Sequence, residues 1–281
     1  MKIGAHISAA GGVANAPLNA QLFGCECYQF FSHSPKGGKA EPLSVNEIKE
    51  FKERNKKYNF KNFYIHAPYY INLASAKNNI YYGSISVLRE ELERGSMLGV
   101  KYLMTHLGSA KELGRKDALK KVVQGIEKIL TGYNGKTKFL IEMSAGAGEI
   151  IGDTFEEIYS IIHNTKPIIQ KKIGVCFDTA HAFESGYDLR TATSVKKVLN
   201  NFDKTIGLKK LKLIHINDSK TALGARVDRH EHLGLGKIGL DGFQALVNEP
   251  RLKNIDFILE TPTDKGVRKD IKLLKQLRKQ V

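Results

Sequence analysis

Histidines and carboxylates follow short apolar runs at regular intervals along this sequence of 281 residues. The clearest case is Asp178 with His181, which come at the end of the apolar run from Ile173 to Phe177. A carboxylate and an imidazole in close proximity can bind a metal ion or transfer a proton. The run itself is typical of a strand buried on both faces, as in a parallel sheet. The carboxyl end of such a strand is where α/β folds place their chemistry.

Other apolar runs end in the same residue types, and a further pair lies in the loop before the last run. The nine candidate metal ligands are His66, His106, Glu142, Asp178, His181, His215, Asp228, His230 and Glu260. One histidine at a strand end is more often a hydrogen-bonded structural residue than a ligand. Five imidazoles and four acids at one end of a fold, however, would repel one another or lack partners without cations. Neutral histidines with carboxylates and no cysteine are typical of a catalytic zinc site.

The segment Asp228-Arg229-His230 allows two interpretations. Alternate residues of an extended segment face the same way, so Asp228 and His230 could bind one ion while Arg229 points elsewhere. The segment could equally be a solvated loop in which Arg229 pairs with an acid. The spacing alone does not distinguish the two.

Eight apolar runs, each followed by a turn and an amphipathic segment, give the chain its organisation. They cover residues 3–7, 28–31, 63–66, 100–106, 139–143, 173–178, 211–216 and 257–260. Positions 31, 66, 106, 142, 178 and 215, at the ends of six successive runs, are 35 to 40 residues apart, about one strand, one helix and their loops. The pattern predicts a (β/α)₈ barrel with its active site at the C-terminal ends of the strands, as one domain over residues 1–281. An open doubly wound sheet follows the same local pattern.

Helix signals support this alternation of strands and helices. Residues 44–47 and 153–156 are predicted capping boxes, with Ser44 and Asp153 as the N-cap residues. Apolar residues at helical spacing within 85–92, 119–130 and 271–277 predict helices that cover a central sheet.

The composition limits the class of protein. An excess of 44 Lys and Arg over 29 Asp and Glu gives a net charge of +15, which favours a polyanionic partner. The alternative is a lysine-rich solvated surface. Three cysteines without Cys-x-x-Cys spacing, Cys25, Cys27 and Cys176, argue against a disulfide framework and are predicted to be reduced core residues. The sequence starts without a signal-peptide pattern and has no stretch that could span a bilayer, which predicts a soluble, cytoplasmic protein.

Two glycine-rich segments look like phosphate-binding loops but lack the required context. Residues 234–239 match G-x-G-x-x-G, yet they follow a polar segment and not a strand, so dinucleotide binding is not predicted. We predict a flexible loop there, leading into a helix that begins near Asp241. Residues 146–148 are predicted to form a tight turn after a strand.

The motifs around the candidate ligands resemble a known family. They are His66-Ala67-Pro68-Tyr69, Thr105-His106-Leu107-Gly108-Ser109, Glu142 with Ser144-Ala145-Gly146, Phe177-Asp178-Thr179-Ala180-His181, His215-Ile216-Asn217-Asp218, Arg226-Val227-Asp228-Arg229-His230 and Leu259-Glu260-Thr261-Pro262. In this order they resemble endonuclease IV, the zinc-dependent apurinic/apyrimidinic endonuclease, over nearly the whole chain.

The resemblance implies three zinc ions per chain. His66 and His106 would bind the first ion, and Glu142 would bridge it to the second as the central catalytic residue. Asp178, His215 and Glu260 would complete the second site. The third site would consist of His181, Asp228 and His230.

The implied reaction is hydrolysis of the phosphodiester 5′ to an abasic site in duplex DNA, leaving a 3′-hydroxyl and a 5′-deoxyribose phosphate. Trimming of blocked 3′ ends is a second implied activity. Clustered zinc would supply hydroxide at neutral pH and stabilise charge on the phosphoryl and leaving oxygens, so no protein nucleophile is required. The expected partner is double-stranded DNA containing abasic sites. A monomer is expected, with no membrane association and no obligate protein partner.

Recognition in this family is understood to bend the DNA, insert side chains through the minor groove and flip the abasic nucleotide. Tyr69 matches an inserting residue, with a packed loop aromatic as the alternative, and Lys36 and Arg229 are further expected DNA contacts. Lys36 stands where the family usually has an arginine, and Gly38 stands where it has a tryptophan. Lysine lacks the planar guanidinium that stacks on bases, so insertion at this loop would be weaker or shifted.

Two further departures lie beside the ligands: Met143 replaces an asparagine and Leu107 replaces a proline. They affect support of the metal ligands and loop stiffness more than ligation.

Two other function classes compete with this interpretation. A sugar isomerase or epimerase of the xylose-isomerase-like barrel type would use one or two metal ions. His181, Asp228 and His230 would then be surplus, and metal content would distinguish the two enzymes. A non-catalytic basic DNA-binding protein would leave the ligands without a role, and replacing Glu142 with alanine would not change its function.

Overall fold

Eight parallel strands close into a barrel in the computed structural model, which describes residues 1–37, 40–262 and 266–278. The barrel strands are β1 (Ile3–His6), β2 (Cys27–Phe30), β3 (Phe63–His66), β4 (Tyr102–Thr105), β5 (Lys138–Glu142), β6 (Ile173–Asp178), β7 (Leu211–His215) and β10 (Asp256–Leu259). Neighbours around the barrel follow chain order, and β1 pairs with both β2 and β10. The predicted (β/α)₈ barrel is confirmed, and the open-sheet alternative is excluded because the sheet has closed on itself.

Helices surround the strands. They are α1 (Asn15–Phe23), α2 (Val45–Lys57), α3 (Asn78–Leu98), α4 (Arg115–Leu130), α5 (Phe155–His163), α6 (Pro167–Gln170), α7 (Thr179–Glu184), α8 (Ala192–Thr205), α9 (Leu240–Val247) and α10 (Gly266–Arg278). The predicted apolar stripes bury one face of α3, α4 and α10 against the barrel, for example through Leu88, Ile126 and Leu274. Among the described helices, none is long and apolar enough to cross a membrane.

The alternation of side chains along the strands separates two apolar clusters. One lies between the strands and the helices, and the other fills the barrel interior. The interior cluster consists of Cys27, Tyr64, Tyr102, Met104, Leu140, Cys176, Leu213 and Ile258. Cys25, Cys27 and Cys176 are free and buried, as predicted.

Strand ends place the candidate ligands on one rim. His66, Glu142, Asp178 and His215 are each the last residue of a barrel strand. The predicted runs extend slightly past several observed strands, so residues 106 and 260 lie just after β4 and β10. Because all eight strands are parallel, these C-terminal ends meet at the same mouth of the barrel.

Of the two predicted capping boxes, one is confirmed and one is wrong. Ser44 Oγ accepts a hydrogen bond from Glu47 N at 3.1 Å, and the Glu47 carboxylate accepts one from Ser44 N at 3.0 Å. In the second case the N-cap is Thr154, not Asp153. The Asp153 carboxylate is instead bound by two arginines, Arg115 and Arg226. The carboxylate predicted to cap α5 is therefore paired with two guanidinium groups, and Thr154 takes its place as the cap.

The glycine-rich segment at 234–239 is anchored, where the sequence predicted a flexible loop. Gly234 N, Gly236 N and Ile238 N donate hydrogen bonds to the Asp218 carboxylate at 2.9, 3.1 and 2.9 Å. A Cβ on Gly236 would lie 2.4 Å from Ser219 O, so only glycine fits this close approach. The amides that a phosphate loop would offer to a ligand therefore bind a side chain of the same molecule. Helix α9 begins at Leu240, as predicted.

Candidate metal centre

Three groups of side chains bring possible ligand atoms within 4.8 Å of one another at the C-terminal mouth. The groups are His66 with His106 and Glu142, then Glu142 with Asp178, His215 and Glu260, and finally Asp178 with His181 and His230. Glu142 belongs to the first and second groups, and Asp178 to the second and third. The groups are therefore contiguous, and eight of the nine candidate residues fall in them.

The ninth candidate, Asp228, lies beside the third group. Its Oδ1 is 3.4 Å from His181 Nε2 and 3.6 Å from His230 Nε2. A two-stranded antiparallel ribbon of β8 (Asp218–Ser219) and β9 (His230–Glu231) carries His230 to this position. The exposed Arg229 turns its guanidinium back to the Asp228 carbonyl oxygen at 2.8 Å.

Helix α7 explains why Asp178 and His181 are three residues apart. Asp178 is the N-cap of α7, and its Oδ1 accepts a hydrogen bond from His181 N at 2.9 Å. The side chain of His181 then lies in the first helical turn, next to the strand end. Asp178 Oδ2 points into the cluster, 3.8 Å from both His215 Nδ1 and His230 Nε2.

Glu142 is the fully buried centre of the cluster. Its Oε2 lies 2.9 Å from His66 Nε2, and its Oε1 lies 2.8 Å from His215 Nδ1. Burial favours the neutral acid, but His106, His215 and His66 outweigh it and hold the pKa of Glu142 well below its usual range. Glu142 is therefore ionised, and protonated imidazoles or a bound metal ion can stabilise its negative charge.

Main-chain carbonyls fix which nitrogen of several imidazoles faces the cluster. His181 Nδ1 lies 2.9 Å from Met143 O, and His230 Nδ1 lies 3.1 Å from Glu260 O. His66 Nδ1 is 2.6 Å from the carbonyl of the following residue. A carbonyl only accepts hydrogen bonds, so each Nδ1 carries a proton and each Nε2 faces the cluster, where it can bind a metal ion once any proton on it is displaced. The Nε2 atoms of His181 and His230 face each other at 3.2 Å, an arrangement that suits a shared cation.

The imidazoles differ in how firmly they hold protons. Burial lowers the pKa of His181 and His215, but nearby groups, including Asp178 for His181 and Glu260 for His215, outweigh burial and raise it well above 6.5. At His106, burial outweighs the attraction of Glu142 and lowers the pKa. A metal ion must displace the protons of the first two rings, so its affinity falls as the pH falls.

Gln29, to which the sequence analysis assigned no role, orients two of the ligands. Its Oε1 lies 2.8 Å from His215 Nε2, so that nitrogen donates and Nδ1 is left to face the carboxylates. Its amide nitrogen donates to Glu260 Oε1 and lies 2.9 Å from His6 Nδ1. The sequence feature that could have indicated this role is a polar amide within the short apolar run 28–31.

Two further residues complete the rim. Asn217 donates to Asp178 Oδ2 at 2.7 Å and accepts a hydrogen bond from Glu260 N at 2.6 Å. His6, the last residue of β1, has Nδ1 3.5 Å from Glu260 Oε1, and its buried Nε2 has no hydrogen-bond partner within the described part of the chain. Burial is the main reason that the pKa of His6 is lowered, so this ring is neutral.

Comparisons with known proteins identify the family. The family model described as xylose isomerase-like TIM barrel matches residues 18–277. A protein of Halothermothrix orenii named probable endonuclease 4 is 38% identical over 279 residues, which cover 99% of this chain and 100% of that protein. The chain belongs to the endonuclease IV family. It is accordingly a hydrolytic nuclease.

Solved structures agree with this membership of the endonuclease IV family. The crystal structure of endonuclease IV from Thermus thermophilus superposes with a TM-score of 0.88 at 34% identity, covering 99% of this chain and 98% of that one. A D-tagatose 3-epimerase-like protein has a TM-score of 0.73 at 18% identity, covering 99% and 97%. The second likeness shows the barrel fold alone, so the fold does not separate nucleases from sugar epimerases, whereas the sequence does.

Two expected DNA contacts, Tyr69 and Lys36, lie in the loops that follow β3 and β2, at the same end of the barrel as the metal centre. Tyr69 is 69% exposed, and its ring meets the edge of Phe31 at 5.2 Å between centroids and lies 5.7 Å from His66. The Tyr69 side chain is therefore largely exposed to solvent but still in contact with residues at the mouth of the barrel. Lys36 is exposed in the loop between β2 and α2. Gly38, at the tryptophan position of the family, lies outside the described residues.

A single guanidinium holds the base of the loop that carries Lys36. Arg94, on α3, donates from Nη2 to Ser32 O at 2.8 Å and from Nη1 to Glu41 O at 2.7 Å. The same guanidinium donates from Nε to Ser32 Oγ at 2.8 Å. Glu91 accepts a hydrogen bond from Ser32 Oγ at 2.8 Å and lies 2.7 Å from His33 Nδ1. We call this set the loop clasp.

Proposed function

We propose that the chain is a DNA-repair endonuclease that hydrolyses the phosphodiester 5′ to abasic sites in duplex DNA. The products would be a 3′-hydroxyl and a 5′-deoxyribose phosphate, and trimming of blocked 3′ ends would be a second activity. One observation carries the proposal: contiguous ligand groups share Glu142 and Asp178 at the mouth of a barrel of the endonuclease IV family.

We propose that the cluster binds three zinc ions. His66, His106 and Glu142 would hold the first, Glu142 with Asp178, His215 and Glu260 the second, and His181, Asp228 and His230 the third. The fixed orientation of the His181 and His230 rings, with Nε2 towards the cluster, and the ionised Glu142 support this assignment. Bound zinc supplies Lewis-acid stabilisation of phosphoryl and leaving oxygens and lowers the pKa of water towards neutrality.

In this proposal the protein side chains hold the metal ions and orient one another, and water is the nucleophile. Glu142 stays ionised between the imidazoles, and Gln29 keeps His215 turned towards the carboxylates. The thiol beside His215 is not an alternative nucleophile, because burial raises the pKa of Cys176 to about 12. Hydrolysis without a protein nucleophile is consistent with this arrangement.

DNA would be recognised by exposed residues around the mouth. We propose that Tyr69 enters the duplex and that Lys36 and Arg229 contact the DNA backbone. Their exposure and their loop positions at the rim support these roles. The net charge of +15 supports an electrostatic contribution that falls with added salt.

Incision of a duplex with one tetrahydrofuran abasic analogue tests the proposal. We expect cleavage directly 5′ to the analogue, loss of cleavage after chelation with EDTA and recovery with added zinc. Elemental analysis of the purified protein should give about three zinc ions per chain. Full incision by the chelated protein would exclude the mechanism. One or two divalent ions together with sugar isomerisation would support the epimerase alternative.

We also propose a cytoplasmic monomer with no obligate protein partner, organised as one domain over residues 1–281. These proposals rest on the sequence. Light scattering of the purified protein, alone and with a duplex, tests the oligomeric state, and a dimer as the active species would contradict it.

A further inference from the structure

A cavity at the N-terminal end of the barrel is lined mainly by lysines. Its volume is about 190 Å³, and six of its nine lining residues are lysine. They are Lys138, Lys171, Lys172, Lys209, Lys210 and Lys212. They lie just before, or within the first two residues of, the adjacent strands β5, β6 and β7, so the cavity lies at the opposite end of the barrel from the metal centre. We call this cavity the lysine basin.

The backbone is shaped to bring one of these lysines into the basin. The register of β6 and β7 shifts between Val175 and Cys176, so Lys212 has no residue opposite it. A Cβ on Gly174 would lie 2.7 Å from Lys212 Cγ. Glycine at this position therefore leaves space for the aliphatic stem of Lys212, and a larger residue would displace it.

The ammonium groups of the basin lack a counter-charge. Lys210 Nζ donates to the carbonyls of Gln170 and Ile173, and Lys212 Nζ donates to the carbonyl of Lys209. Within residues 1–37, 40–262 and 266–278, no carboxylate forms an ion pair with any of the six basin lysines. Each ammonium has three donors, so donors remain available after these bonds.

Asp256, an acid at this end of the barrel, already has hydrogen-bond partners. Asp256 Oδ1 accepts a hydrogen bond from Lys2 N at 2.8 Å, and Oδ2 accepts one from Tyr64 Oη at 2.6 Å. Burial lowers the pKa of Lys210 and Lys212, and the charged groups that lower it further are other lysines. The basin is therefore a partly solvent-exposed cluster of one sign, which an anion would stabilise.

We propose that the lysine basin binds phosphoryl groups of a small oligophosphate or of a nucleic-acid backbone. Lysines are common phosphate ligands that act as point charges. The cavity is smaller than the roughly 300–1,000 Å³ of sites for drug-sized ligands, so it fits a phosphoryl group and not a whole nucleoside. This site is independent of the proposed incision activity, because it lies at the other end of the barrel.

The proposal can be tested by NMR of the zinc-loaded protein labelled with ¹³C at lysine Cε. Inorganic pyrophosphate is titrated at constant ionic strength, and the Lys212 signal is assigned from its loss in Lys212→Met. Pyrophosphate that binds metal ions at the other mouth does not contribute, because the readout is local to the basin. We expect a saturable shift of the Lys212 signal that sodium chloride does not reproduce.

A matched pair of variants adds the energetic test. Lys138→Met removes one basin ammonium, and Lys116→Met removes one exposed ammonium on α4. Followed through the Lys212 signal, pyrophosphate should bind Lys138→Met about tenfold more weakly than Lys116→Met, as expected for loss of a charged hydrogen bond. Thermal melting of both variants confirms that they fold.

The outcomes separate the sources of the phosphate and can overturn the proposal. A Lys212 shift caused by undamaged duplex DNA at lower concentration than by pyrophosphate would assign the phosphoryl groups to DNA. A shift caused only by pyrophosphate would assign them to a free oligophosphate. Equal affinity of Lys138→Met and Lys116→Met, or a Lys212 signal that pyrophosphate does not move, would overturn the proposal.

Discussion

The two mouths of the barrel carry charge in opposite ways. At the C-terminal mouth, four carboxylates and five histidines form a contiguous cluster, and Glu142 at their centre is fully buried. At the N-terminal mouth, six lysines line a cavity without an ion-paired acid among the described residues. Groups of both signs can stabilise one another and be buried, whereas groups of one sign repel and stay open to solvent.

This difference shows that the net charge of +15 does not describe the metal centre. Without metal ions, the charges of four carboxylates at the C-terminal mouth are offset only in part by protonated His181 and His215, so this mouth would not attract DNA phosphates. The three zinc ions that we propose bring six positive charges and would reverse the sign of that mouth. Metal ions would therefore be required for DNA binding at this end as well as for hydrolysis.

Loss of the central carboxylate should have the largest effect. Glu142→Gln keeps the size of the side chain but removes the charge shared by two ligand groups. We expect the incision rate to fall about 10³-fold or more, with fewer zinc ions bound per chain. Steady-state incision of the tetrahydrofuran duplex and elemental analysis measure the two effects.

Glu156→Gln is the matched control, since Glu156 is an exposed acid on α5. It should incise at nearly the rate of the unchanged protein. If Glu142→Gln incised equally well, the C-terminal mouth would not be the catalytic end.

Acidification should remove metal from the same mouth. The pKa values of Glu142 and Glu260 are held well below their usual range, so these carboxylates stay ionised, whereas those of His181 and His215 are raised above 6.5. Metal ions compete with the histidine protons, so zinc affinity should fall from about pH 8 to about pH 5, by up to tenfold per pH unit for each proton displaced. Equilibrium dialysis against a zinc buffer at each pH measures this. Zinc affinity that is constant over this range would contradict the proposed role of the two imidazoles.

Gln29→Leu should have a smaller effect, because it removes an orienting residue and no ligand. His215 would lose its acceptor at Nε2, and Glu260 would lose a donor. We expect zinc affinity or incision to fall about 10- to 100-fold. Gln29→Glu restores an acceptor for His215 and should recover more metal affinity than the leucine variant. Equal affinities for the two variants would indicate that Gln29 only fills space.

The fold and the ligand positions could be predicted because both depend on local pattern. A run of apolar residues ending in His66 or Asp178 indicates a buried strand and the position of its C-terminal end. Parallel strands bring such ends together at one mouth of the barrel, whichever helices connect them. The spacing of Asp178 and His181 follows from one N-capped helical turn. The roles of these residues in binding zinc remain predictions until metal is measured.

The contacts that the sequence did not predict depend on which strands face each other across the barrel. Gln29 on β2 contacts His215 on β7, 186 residues later, and no local spacing indicates that contact. The capping box at Asp153 was wrong for a related reason. Arg115 and Arg226 come from distant parts of the chain, and their charges bind the carboxylate that would otherwise have capped α5.

The smallest effect that we expect comes from the loop clasp, which lies outside the metal centre. The guanidinium of Arg94 donates to Ser32 O and Glu41 O at the same time, and the single ammonium of Arg94→Lys cannot replace both hydrogen bonds. The loop carrying Lys36 should therefore shift. A misplaced contact loop weakens substrate binding, so we expect KM for the abasic duplex to rise on the order of tenfold, with kcat and zinc content nearly unchanged.

Arg89→Lys is the control, because it makes the same substitution at another arginine of α3 that donates to main-chain carbonyls. Arg89 donates to the carbonyls of Ile129, Thr131 and Gly132 at the end of α4, away from the loop. Both variants leave carbonyls with fewer donors, so both should lose about 1–3 kcal/mol of unfolding free energy. Only Arg94→Lys should raise KM. An equal rise of KM in both variants would mean that general destabilisation, and not the position of the Lys36 loop, weakens DNA binding.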